Sequence, residues 1–144
     1  MSQTVIPILC ALIAILGGFA YVRFKAYSDA SVKFRSAILA ELGALYPIAT
    51  VWPKNEDTFF KAAFPNLQVA VAEFRHFVPW YRRRDFDNAW LCYYSAYPET
   101  TKEQIYHHYM AFQDSGENTY QAQERRNKTF HTNVSNLLSF ASNK

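Results

Sequence analysis

Glu73 and His76 stand three residues apart, a spacing that puts a carboxylate and an imidazole on one face of a helix. Two such Glu-x-x-His pairs, with further glutamates, hold the metals of carboxylate-bridged helical bundles. This sequence offers one pair, and a second, irregular one in Glu103 and His107, four residues apart. Glu73, His76, Glu103 and His107 therefore define an alternative reading, a metal- or small-ligand-dependent enzyme. One short pair arises easily by chance. The simpler expectation is a surface ion pair for Glu73 and a partly buried polar ring for His76. His108 adjoins His107, but neighbours on a helix point about 100° apart and do not readily chelate one ion together.

The second chemical feature is "HFVPWYRRRDFDNAW", His76 to Trp90. Trp80 and Tyr81 precede three consecutive arginines, Arg82, Arg83 and Arg84. Rings interleaved with guanidinium groups are how many single-strand nucleic-acid binders stack bases and hold phosphates. Asp85 and Asp87 follow at once, however, so residues 82–87 total only +1. A nucleic-acid module usually has a basic surplus, so nucleic acid is not the expected partner. Contact with anionic lipid headgroups is a third reading, since Trp and Tyr favour the membrane interface and Arg is drawn to its charge. The simplest account is a joint: Pro79 ends one helix, the arginines stay in water, and Asp85 caps the next helix.

Little else suggests catalysis. Cys92 lies in "WLCYY" with no flanking nucleophile motif and reads as a buried, inert thiol. There is no Gly-rich phosphate loop, no Cys-x-x-Cys and no Gly-x-Ser-x-Gly. No cofactor or small-molecule substrate is implied, and the leading expectation is a non-enzymatic protein.

The elements that must carry these residues begin with an apolar run. Residues 5–22, "VIPILCALIAILGGFAYV", contain no charge, which is long enough for a membrane-spanning helix. A cleaved signal peptide needs a basic stretch before such a run and a small-residue cleavage site after it. Neither is present, so the run reads as an uncleaved anchor. Residues 23–35, with Arg23, Lys25, Lys33 and Arg35 against Asp29, carry +3, the whole net charge of the protein. Residues 36–144 hold eleven basic and eleven acidic side chains. Basic residues beside a span are retained on the cytoplasmic side. The expected topology is therefore an extracytoplasmic tail of residues 1–4, a span at 5–22, and a basic collar at 23–35 that continues into the first helix. A cytoplasmic helical domain at 27–144 completes it, at the inner membrane of a bacterium. Arg23 and Lys25 join Trp80, Tyr81 and the three arginines as candidate lipid or phosphate contacts.

Beyond the span the periodicity is helical throughout. Ser28 or Asp29 is a fitting N-cap for a helix to Tyr46, though "RFKAY" contains no breaker and the span can also run straight on. Val32, Leu39, Leu42 and Tyr46 mark its stripe. Asn55 opens a short helix, and Pro65 suits the first position of another that ends at Pro79. Asp85 begins a helix that runs to Tyr97. "TKEQ" at 101–104 fits a capping box for a further helix. The last runs from about Thr119 to Ala141. The fold class is all-α: one N-terminal transmembrane helix followed by a compact bundle of about five or six helices. The protein has twelve Phe, ten Tyr and three Trp. With so many rings, "CYYSAY" and "YHHYMAF" either pack a core or line a groove for a partner's helix or an acyl or aromatic ligand.

Overall fold

The computed structural model describes residues 2–113 and 115–142, with side chains from Val5 onward. Met1, Asp114, Asn143 and Lys144 lie outside the described residues. Four α-helices are present: α1 (Ser2–Leu42), α2 (Glu56–Arg75), α3 (Arg83–Tyr94) and α4 (Thr119–Leu138). Short 3-10 turns occur at Trp80–Arg82, His107–Tyr109 and Ser139–Ala141. The all-α class holds, with fewer helices than the periodicity suggests and no strand among the described residues.

The helix α1 runs without interruption from the apolar run into the body. It includes Ser2 to Thr4, where the sequence suggested a separate tail. Val5 to Ala26 are exposed, and burial begins at Tyr27. From there Ser31, Phe34, Ile38 and Leu42 face the core, one stripe at spacings of three and four. Val32, expected in that stripe, is exposed, because Ser31 takes the inward position. The helix stops at Leu42, four residues early. A Cβ on Gly43 would lie 2.5 Å from the Leu39 carbonyl oxygen, so only glycine fits this chain reversal.

Asn55 caps α2 as expected, its Oδ1 accepting from the Thr58 backbone N–H at 3.0 Å. The two helices expected on either side of Pro65 are one. Proline removes a backbone donor from the helix interior. Buried Phe60, Ala63, Leu67, Val71 and Phe74 keep one face in register across it and outweigh that loss. Asp85 does not cap α3. The turn at Trp80–Arg82 feeds directly into a helix beginning at Arg83, which leaves Asp85 in the first turn, still favourable at the positive helix end.

The helix expected after residue 101 is absent. Residues 95–113 and 115–118 form an irregular arm with one 3-10 turn among the described residues. The Ile105 N–H donates to Tyr94 O at 2.9 Å, and the Ala96 N–H to Ile105 O at 2.8 Å. The arm thus satisfies the free carbonyl at the end of α3. It also lays Tyr106 and Tyr109, both fully buried, onto Phe60 at ring separations of 5.1 and 5.0 Å. Burial of two large rings wins over local helical periodicity. Gly116, with φ +92°, supplies the turn into α4. There Asn118 and Gln121 form a reciprocal capping box. The buried face of α4 is Ala122, Arg126, Phe130, Val134, Leu137 and Leu138, at helical spacing.

Candidate functional site

Pairings between helices fix their directions. Lys33 Nζ bonds Glu73 Oε2 at 2.6 Å, while Asn66 Nδ2 donates to Glu41 Oε1 at 2.7 Å. Higher numbers on α1 meet lower numbers on α2, so the two are antiparallel. Phe64 stacks on Trp90 and Phe74 packs on Phe86, so α3 runs back against α2. The C-terminal end of α2 and the start of α3 therefore lie at the end of the body where α1 leaves its apolar run. The close of α4 is there too: the Tyr27 hydroxyl donates to the Phe140 carbonyl, and Phe86 packs on the Phe140 ring at 5.3 Å.

Trp80 and Tyr81 are 81% and 66% exposed at this end, a costly display of apolar surface in water. The three arginines that follow differ. Arg82 lies over the Phe140 ring, 4.6 Å from its centroid. Arg83 turns back: its Nε donates to Val78 O at 3.1 Å, and its Nη2 reaches His76 O at 3.5 Å. It covers the carbonyls that the end of α2 leaves free. Arg84 is exposed. Asp87 does not offset them. It is held by Arg75 at 2.7 and 2.8 Å in a fork, and this pairing raises the Arg75 pKa. The local charge count along the sequence understates how basic this end is. Arg23 lies four residues before Tyr27, about 6 Å farther along α1, and Lys25 is exposed on the other face of the helix at the same level.

Above this end, α1 and α2 leave a groove of about 300 Å³. Its walls are the small side chains of Ala26, Ala30, Ala37 and Ala70. Phe34 and Phe74 form the floor, stacked at 4.5 Å. Phe77, 42% exposed, stands at its edge. The Lys33–Glu73 ion pair and Asp29 supply its few polar groups. Sequence reasoning missed this groove. Its signal was present in Ala26, Ala30 and Ala37, spaced four and seven on a helix whose other residues there are larger.

The four candidate metal ligands are not brought together. Glu73 pairs with Lys33 near the apolar end of the body, and His76 is exposed just beyond α2. Glu103 and His107 belong to the irregular arm, beyond the opposite end of α3. No group of three or more His, Cys, Asp or Glu side chains arranged to hold a metal occurs among the described residues.

At that far end a second cleft of about 280 Å³ is lined by Ala96, Tyr97, His107, His108, Met110 and Phe112, with Arg125. The two aromatic segments thus leave a shallow cleft, but most of their rings build the core. Tyr93, Tyr106 and Tyr109 are fully buried. Burial raises their pKa values, so their hydroxyls stay protonated and are poor bases. His108 Nε2 meets Cys92 O at 3.2 Å, and burial lowers its pKa. Asn133 Nδ2 donates to the same carbonyl and to Tyr109 Oη, at 3.1 and 3.0 Å. These contacts lock the arm onto α3 and α4.

Comparison with models of protein families, with curated proteins and with solved structures gives no match, so function must be argued from this chain's own chemistry.

Proposed function

We propose that the protein is a single-pass component of the bacterial inner membrane. Residues 5–22 span the bilayer with the N-terminus outside, and the helical body stands on the cytoplasmic face. There it acts without catalysis, binding or organising a protein partner close to the bilayer. The observation that carries this reading is the antiparallel pairing of α1 and α2. It brings exposed Trp80 and Tyr81, with Arg82 and Arg84, to the same end of the body as Arg23 and Lys25. Interfacial rings and basic side chains at that end are what a bilayer surface attracts.

One helix near the N-terminus is long and apolar enough to cross a membrane, with none of its apolar window buried. Its continuation into the body supports an anchor over a leader, because cleavage after the apolar run would cut inside α1.

A reporter fused to the C-terminus tests the topology: a cytoplasmic reporter is expected to be active, and an exported one would overturn the orientation. In-cell crosslinking from Phe112 and Tyr120, both exposed away from the bilayer end, tests the role. A discrete crosslinked species is expected, and monomer alone would refute partner binding.

A further inference from the structure

Resting on that reading of a bilayer at residues 5–22, we infer that the groove between α1 and α2 holds one acyl chain of an anionic phospholipid drawn from the same membrane. The groove begins at Ala26, about 6 Å past Val22 along α1, and reaches Ala37, roughly 22 Å past it. The polar layer on each side of a bilayer is about 5–8 Å deep. The lower mouth therefore opens among headgroups and the upper end stands clear of them. Apolar walls open to water at a membrane surface have one abundant apolar neighbour, the hydrocarbon of the bilayer itself.

Size and charge select the occupant. A specific protein interface engages about 20–30 residues a side, whereas ten residues line this groove. Alanine methyls on both walls, over a floor of stacked Phe34 and Phe74, line a groove of about 300 Å³, the scale of one chain rather than of a docked helix. Arg23 lies seven residues before Ala30, within about 20° of the same helix face, and so stands under the mouth. A phosphate at this level meets Arg23, while one chain turns up into the groove and the other stays in the bilayer. The upper chain covers Phe77 and the alanine walls, exchanging one apolar environment for another.

The test uses the full-length protein in nanodiscs of phosphatidylglycerol and phosphatidylethanolamine. A trace of phosphatidylglycerol carries a photoactivatable diazirine near the end of one acyl chain, and adducts are mapped by mass spectrometry. Adducts are expected both on 5–22 and on the groove segments 26–37 and 70–77. Ala30→Phe fills the slot and should lower the groove adducts about tenfold while sparing those on 5–22. If Ala30→Phe loses its helical circular dichroism, Ala37→Leu serves instead and should shift adducts toward 26–30. Arg23→Gln should lower the groove yield about fivefold. A probe with a phosphatidylcholine headgroup should do the same, and equal yields from the two headgroups would overturn the anionic selectivity. Adducts on 5–22 alone would overturn the acyl site and leave the anchor standing; adducts on neither segment would overturn both.

Discussion

Phe34 of α1 and Phe74 of α2 lie face to face at 4.5 Å, their planes 13° apart. Both are 2% exposed, and Phe74 also meets Tyr27 and Phe86. This stack fastens the helix carrying the apolar run to the rest of the body. Phe74→Ala empties the centre of that contact and is expected to destabilise the body by about 3–5 kcal/mol. Urea unfolding of the detergent-solubilised protein, followed by circular dichroism, measures the loss. A change under about 1 kcal/mol would mean that the site collapses onto the void or that the stack is loose.

The three arginines are predicted to behave differently. Arg84 is exposed, and Arg84→Gln should leave stability within about 0.5 kcal/mol. Arg83 covers two carbonyls at the end of α2, so Arg83→Gln should lose about 1–2 kcal/mol. Melting curves of the two variants, run side by side, check the ordering, and equal midpoints would refute the capping role.

Arg126 is 8% exposed, lies 4.1 Å from the Trp52 ring centroid, and pairs with Glu56 at 3.1 Å. Burial lowers its pKa against the opposing effect of Glu56. Glu56→Gln leaves the guanidinium without its counter-charge and should destabilise by about 1–3 kcal/mol. Adding Arg126→Met removes the stranded charge and should restore most of that. A double-mutant cycle in chemical denaturation gives the coupling; strict additivity would show that the pair contributes nothing.

His108 gives the fold a defined response to acid. Burial is the main cause that lowers its pKa from the ordinary 6.5, partly opposed by hydrogen bonding to the Cys92 and Tyr93 backbone. The unfolded chain therefore takes up this proton first as the pH falls. The stability tied to the neutral ring is complete above about pH 6.5, declines below it, and levels off once the folded ring also titrates. The melting temperature should drop between about pH 7 and pH 5, and His108→Gln should flatten that part of the profile. An unchanged slope in the variant would assign the acid response to other groups.

Gly43→Ala puts a methyl 2.5 Å from the Leu39 carbonyl oxygen. Because backbone must move to admit it, a loss above about 1 kcal/mol is expected. Thermal melting detects it, and a neutral outcome would show that the turn after α1 has slack.

Single-helix patterns were legible in the sequence wherever one face decided the matter. Leu67, Val71, Phe74 and Val78 recur in the sequence at helical spacing and are buried, as is the α4 stripe with its inward Arg126. The unbroken passage through "RFKAY" was open to view because nothing there stops a helix. Punctuation misled where tertiary burial overrode it. Pro65 sits inside α2, Asp85 yielded its capping role to the 3-10 turn before it, and the irregular arm gave up a helix to bury Tyr106 and Tyr109. The candidate site was half legible. Trp80 to Arg84 stood out, but their charge was misjudged because the partner of Asp87 is Arg75, twelve residues away in sequence and adjacent only once α2 and α3 pack. The groove needed both helices at once and has no signature on either alone.

The 41 residues of α1 form one rod, roughly 60 Å long, with its two halves in different surroundings. A span accommodates bilayer thickness by tilting. In the proposed anchoring no loop intervenes to absorb the angle, so the body would turn with the rod, and a few degrees of tilt would become a sideways sweep of several ångströms at the far cleft. On that anchoring, membrane thickness would be a mechanical input, with α1 as the lever arm. Contacts of Trp80, Tyr81 and Arg84 with the surface would then set how far that lever swings on one side.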